Sequence, residues 1–240
     1  MNSSKEQSSE HLEARLKHLF KKFPGFTDTE IEDVVSKAKE RARKEVLLEN
    51  LFESQIKTLE RLGCPKEIVD NFQRKKDKVL NEAFEMSIDE GHIPFLPVIP
   101  KSYMGLYALM PMVRKGEYAG FMTYNPNRLI NTVKVSEDPY FALDVENGNA
   151  LLNIPVKDAR KKIKSQKRFP LTAEEVVSLG IFTEILSSHN VQALGSCYDC
   201  EGGLLVPTLV MHWNSRPLLD FYDPGATSNS WGAGSCGDRI

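Results

Sequence analysis

The 240-residue sequence has no run that is long and apolar enough to cross a bilayer. The longest apolar stretches, such as Leu204 to Trp213, are about half the required length, and Pro207 interrupts that one. A dominant charge is also missing. Thirty-one basic against 33 acidic side chains give a formal net charge of −2, so no global field gathers nucleic acid or an anionic membrane. Cysteine is sparse, at four residues, and the first ten positions are rich in Ser and Glu instead of forming an apolar leader. Reduced thiols in a cytoplasm are therefore expected. What is present, 41% hydrophobic and 27% charged residues, fits a folded domain and excludes a disordered or collagen-like chain.

Composition changes near residue 91. Positions 1–90 hold two glycines, two prolines, no tryptophan and no tyrosine, and the remaining 150 hold 13 glycines and 11 prolines. Gly and Pro punctuate strands and turns, and their scarcity permits long helices. The expected division is a helical segment over 1–90, with 1–49 an extension, followed by an α+β domain over 91–240. Charge does not change with it, since 17 basic and 19 acidic residues precede position 91 and 14 of each follow.

In the first part, Leu12, Leu16, Leu19, Phe20 and Phe23 fall at helical spacing before Pro24-Gly25. Thr27 with Glu30 forms a capping box, and Ile31, Val34, Val35, Ala38 and Ala42 make one apolar stripe. Glu30 to Leu62 contains no Gly or Pro, a length that points to a helical bundle, a hairpin or a self-association seam. Gly63 suits a helix stop and Pro65 the start of the next helix, which carries Ile68 to Ile88. Beyond Gly91, Phe141 to Val145 alternates, with Asn147-Gly148 as a tight turn and Ala150 to Ile154 as the return strand. Two helices are expected from Pro155 to Lys164 and from the Thr172–Glu175 capping box to Ser188, the second largely buried. Val191 to Ser196, Leu204 to Trp213 and Leu218 to Tyr222 read as closing strands. This order indicates a mostly antiparallel sheet with two covering helices.

Several stretches together resemble an uncharacterised bacterial protein family, a domain of unknown function. They are Phe52-Glu-Ser-Gln-Ile-Lys-Thr-Leu59 with Gly63 and Pro65, Pro139-Tyr-Phe-Ala-Leu-Asp-Val145 with Gly148, and Asn153-Ile-Pro155. Pro170-Leu-Thr-Ala-Glu-Glu175, Gly195-Ser196, Val206-Pro-Thr-Leu209 and Trp231-Gly-Ala-Gly-Ser-Cys236 complete the set. The resemblance spans roughly residues 50–240, implies a bacterial cytosolic protein, and brings no activity with it. The Cys197/Cys200 pair departs from the family pattern.

Cys197-Tyr-Asp-Cys200 is the most chemically suggestive motif. Two thiolates at this spacing can clamp Zn²⁺ within a hairpin turn, with two further ligands to come from Cys236, His212, His189 and Cys64, of which Cys236 and His212 are the expected ones. A redox pair would sit at a helix start, whereas a turn and strand follow here. The plain alternative is two reduced thiols in a surface turn. Gly232-Ala-Gly-Ser-Cys-Gly237 has dinucleotide spacing but lacks room for the helix that motif needs, and Ala233 spoils a nucleophile elbow at Ser235. These glycines are expected to let the backbone pass closely over the sheet. Arg160, Lys161, Lys162, Lys164, Lys167 and Arg168 read as a solvated helix face. His212, Arg216, Asp220, Asp223, Ser230 and Trp231 form a polar group from which a ligand site of His212, Arg216, Asp223 and Trp231 is expected.

The function expected from the residues is non-catalytic binding or protein interaction. Residues 28–62 offer a surface for self-association or a helical partner, with no cofactor, no membrane contact and no nucleic acid. The contrary expectation is a zinc protein or thiol-dependent enzyme built on Cys197, Cys200, Cys236 and His212.

Overall fold

The computed structural model describes residues 27–240 together with Ala14, Arg15 and His18. The apolar positions Leu12, Leu16, Leu19, Phe20 and Phe23 and the stop at Pro24-Gly25 lie outside the described residues. The chain forms two compact units that divide between Leu51 and Phe52, within helix α1 (Asp28–Arg61).

The ends of α1 follow from local chemistry. Glu30 Oε2 accepts the Thr27 amide at 2.8 Å while Thr27 Oγ1 accepts the Glu30 amide at 3.3 Å, a reciprocal capping box. At the other end Cys64 N–H reaches Leu59 O and Gly63 N–H reaches Glu60 O, both at 3.0 Å. This Schellman closure needs the left-handed φ of +76° that Gly63 supplies. Before Leu51, Ile31, Val35 and Leu48 of α1 are buried, and Val34, Val46 and Leu47 are exposed.

The second unit begins at Phe52 with the last turns of α1 and continues into α2 (Lys66–Arg74) and α3 (Lys76–Glu85). One helix is expected there; the structure divides it at Lys75. The Lys75 amide closes a tightened turn onto Phe72 O, and its ammonium donates to Pro139 O at 2.6 Å. Burial lowers the Lys75 pKa. Phe52 and Phe72 meet Phe95 and Phe141 in the core, with Phe141 at 5.2 Å from Phe72 and 5.8 Å from Phe95 between ring centroids.

Strand β1 (Ile93–Val98) precedes a short helix α4 (Leu106–Leu109) and the small strands β2 (Arg114–Lys115), β3 (Tyr118–Ala119), β4 (Phe121–Met122) and β5 (Leu129–Asn131). Strand β6 (Tyr140–Val145) is buried at all six residues. The expected return strand at Ala150–Ile154 is absent: Asn149–Leu151 is a 3₁₀ turn. Glu146 Oε1 accepts the Gly148 and Ala150 amides, at 2.9 and 3.0 Å, so the chain curls instead of doubling back. The neighbours of β6 are β1 and the distant β14 (Asp238–Arg239), both antiparallel.

Helix α5 (Val156–Ser165), strand β7 (Phe169–Pro170) and helix α6 (Ala173–Phe182) follow. Helix α6 is buried from Ala173 to Gly180, as its apolar circumference predicts, and packs on β1. It stops at Phe182 and not at Ser188. Thr183 turns extended at φ −137°, its hydroxyl bonded to Leu179 O at 2.6 Å, and a 3₁₀ turn covers Ile185–Ser187. The larger sheet is built from β8 (Asn190–Gln192), β9 (Ser196–Cys200), β10 (Gly203–Met211), β11 (Pro217–Tyr222) and β12 (Trp231–Ala233), with β4 and β5 at its margins. Its hairpins are antiparallel; β4 with β11 and β12 with β8 are parallel. Strand β13 (Ser235–Cys236) pairs with β7. The fold is α+β, mostly antiparallel with two covering helices. No helix among the described residues is long and apolar enough to cross a membrane.

Candidate functional site

The structure distributes the four expected metal ligands over separate surroundings. Cys197 and Cys200 lie on β9, three positions apart, so strand alternation sends them to opposite faces. Cys200 Sγ donates to Gly203 O at 2.9 Å. Cys236 is fully buried on β13 opposite Phe169, and His212 Nδ1 is 2.8 Å from Asn214 Oδ1. All four cysteines are free, and among the described residues no three His, Cys, Asp or Glu side chains are grouped to hold a metal ion. Burial pushes the Cys64 thiol up to about 11 and also raises Cys197 and Cys236; for Cys236 the Glu175 carboxylate adds to it.

The expected ligand site His212, Arg216, Asp223 and Trp231 is divided over the sheet. His212 and Arg216 sit in the turn where Met211 pairs with Pro217, Asp223 follows Tyr222 at the other end of β11, and Trp231 lies on β12, paired with Asn190 of β8. The six-residue β11 separates Arg216 from Asp223 by roughly 17–20 Å. Arg216 Nε donates to Ala119 O at 3.1 Å and its guanidinium lies 4.6 Å over Phe121. Asp223 Oδ1 accepts the Gly225 amide at 2.7 Å, which makes it a turn residue. Trp231 packs on Tyr222 at 4.4 Å, and burial with the Asp220 carboxylate pushes the Tyr222 hydroxyl up to about 12.

Two arginines, 13% and 9% exposed at the side chain, make the inward-facing ion pairs of the domain. Arg168, expected on the solvated basic face, turns inward: its guanidinium pairs with the Asp144 carboxylate and carbonyl, and Nε donates to Ser235 Oγ at 2.9 Å. The reason lies after the helix. Lys167 takes a left-handed φ of +56° and the chain enters β7, which aims the next side chain at the core. His92 Nδ1 approaches the other Asp144 oxygen at 2.6 Å. Asp144 itself holds φ +49° inside β6, a costly conformation for a residue with a side chain.

Arg239 forms the second pair. Its Nε and Nη2 donate to Glu175 Oε1 and Oε2 at 2.6 and 2.9 Å, and Nη2 also reaches Pro170 O at 3.0 Å. Glu175 is fully buried and is the capping-box partner of Thr172, whose amide donates to Oε2 at 2.7 Å. The Tyr140 hydroxyl donates to Glu175 Oε1 at 3.0 Å, and burial with that carboxylate raises the Tyr140 pKa. Only the capping role of Glu175 was visible in the sequence; its arginine lies 64 residues away.

Arg239 also lines a cavity of about 310 Å³ between the 134–136 segment, the start of β6, β7 and β14. Lys134, Ser136, Tyr140, Phe169, Asp238 and Arg239 supply its polar and aromatic walls. The arrangement is a small concave site with a fixed guanidinium, an exposed ammonium and an aromatic face, which suits noncovalent recognition.

A chain with this α+β unit belongs to a family of unknown function, DUF5701, whose model matches residues 51–202. The match begins one residue before the second compact unit, and it ends before β10, so Arg239 and the rest of β12–β14 lie beyond it. No curated protein and no solved structure matches the chain.

Proposed function

We propose that this chain is a non-catalytic binding protein of the bacterial cytoplasm, working through noncovalent recognition by its α+β unit. The observation that carries this reading is the commitment of its buried ionisable groups to one another. Asp144 is held by Arg168 and His92, and Glu175 by Arg239, Tyr140 and the Thr172 amide. Such pairs add little net stability when intact, but removing one partner is strongly destabilising, so each group is committed to its partner. Three of the four thiols are held protonated by burial, a poor setting for a nucleophile or a thiolate ligand. Free thiols also favour a reducing compartment. Val34, Val46 and Leu47, exposed on α1, support self-association or a helical partner through residues 28–62.

Native mass spectrometry with metal analysis tests the reading. The expected species carries no stoichiometric metal, and its oligomeric state changes in Leu47→Glu. One zinc per chain, lost in Cys197→Ser, would overturn it in favour of the metal or thiol alternative.

A further inference from the structure

We propose that the cavity beside Arg239 binds a small organic acid carrying a flat apolar body. This rests on the binding reading above and assigns that site its ligand class. Glu175 and the Pro170 carbonyl fix the Arg239 guanidinium through Nε and Nη2, and Nη1 has no protein partner among the described residues. A guanidinium held through Nε and Nη2 presents Nη1 without an ordering cost, and a charge-assisted N–H donor of this kind suits a carboxylate oxygen. The Arg239 side chain is only 9% exposed, so this donor works where water screens it poorly.

The second cation is Lys134, an exposed residue of the lining that makes no ion pair among the described residues. Opposing it, Asp238 is the single side-chain carboxylate of the lining, and its Oδ1 is occupied by the Arg239 amide at 2.7 Å. Glu175 is engaged behind Arg239. An anion therefore meets the Lys134 ammonium and the free Arg239 Nη1 against the single Asp238 carboxylate, and a cation would meet the same two cations. The apolar part of the ligand has Phe169, 44% exposed with its ring 5.3 Å from the Arg239 guanidinium carbon, together with Val135 and Ile240. A volume of about 310 Å³ lies at the small end of ligand pockets, which limits the occupant to a small molecule.

The test uses the full chain with benzoate and benzylamine, two probes of one shape and opposite charge, followed by calorimetry and by chemical-shift changes at Phe169 and Arg239. Benzoate is expected to bind and benzylamine is not. Lys134→Glu and Phe169→Ala, both at exposed side chains, should each weaken benzoate about tenfold while the far-ultraviolet spectrum is unchanged. Benzylamine binding as tightly as benzoate, benzoate binding that ignores Lys134→Glu, or no benzoate binding at about 10 mM would each overturn the assignment. These failures leave the chain's metal content and thiol inertness unaltered, so they are separable from failure of the binding reading itself.

Discussion

Removal of the Glu175 carboxylate is the sharpest perturbation of the buried network. Glu175 is 0% exposed and Arg239 only 9% at the side chain, so the carboxylate has no water to turn to and the guanidinium meets it only along the cavity wall. In Glu175→Ala the guanidinium retains one protein acceptor, the Pro170 carbonyl at 3.0 Å, and the Thr172 amide and Tyr140 hydroxyl lose theirs. Breaking a buried pair from one side costs about 3–5 kcal/mol, and loss of a helix cap about 1 kcal/mol. A loss of about 4 kcal/mol corresponds to roughly 8–16 °C in Tm for a domain of this size. Urea unfolding followed by far-ultraviolet circular dichroism measures it. The paired variant Glu175→Leu with Arg239→Met removes both charges together and should return to within about 1–2 kcal/mol of the parent. A single-variant cost below about 1 kcal/mol would refute the structural role assigned to the pair. So would a paired variant no better than the single one.

Two further predictions concern backbone approach and proton linkage. A Cβ on Gly232 would lie 2.1 Å from Gly148 O and 2.7 Å from Gly148 C. Because these are backbone atoms, Gly232→Ala should cost about 3 kcal/mol in the same unfolding assay, and an unchanged midpoint would contradict the packing. Glu174 is buried with Oε2 unpartnered, and burial raises its pKa. A raised carboxyl contributes stability below its unfolded pKa and loses it as pH rises from that value to the folded one. Glu174→Gln should therefore remove this decline and be more stable than the parent by about 1 kcal/mol at pH 8; a variant that follows the parent's pH profile would contradict it.

The local signals in the sequence were sufficient for the helix ends. Both capping boxes, Thr27–Glu30 and Thr172–Glu175, and the stop at Gly63 involve residues within five positions of one another, so composition and spacing specify them. The close passage expected of the terminal glycines is found where Gly232 meets Gly148. Pairing between distant segments was not legible. The alternation of β6 resembles one strand of a hairpin, yet its partners are β1 and β14, and no local pattern carries that information. Arg168 was indistinguishable from the lysines before it because its inward turn depends on the left-handed Lys167. The candidate cavity was missed for the same reason: Lys134, Phe169 and Arg239 are brought together by sheet pairing across about a hundred residues.

The proposed binding role requires that the buried thiols of this chain stay enclosed and unreactive. Site-resolved alkylation by iodoacetamide across pH, read by peptide mass spectrometry on the native protein, tests it most directly. Cys64, Cys197 and Cys236 are predicted to react more slowly than glutathione at pH 7, with Cys64 gaining thiolate character only toward about 11. Any of the three reacting faster than glutathione at pH 7 would contradict the account.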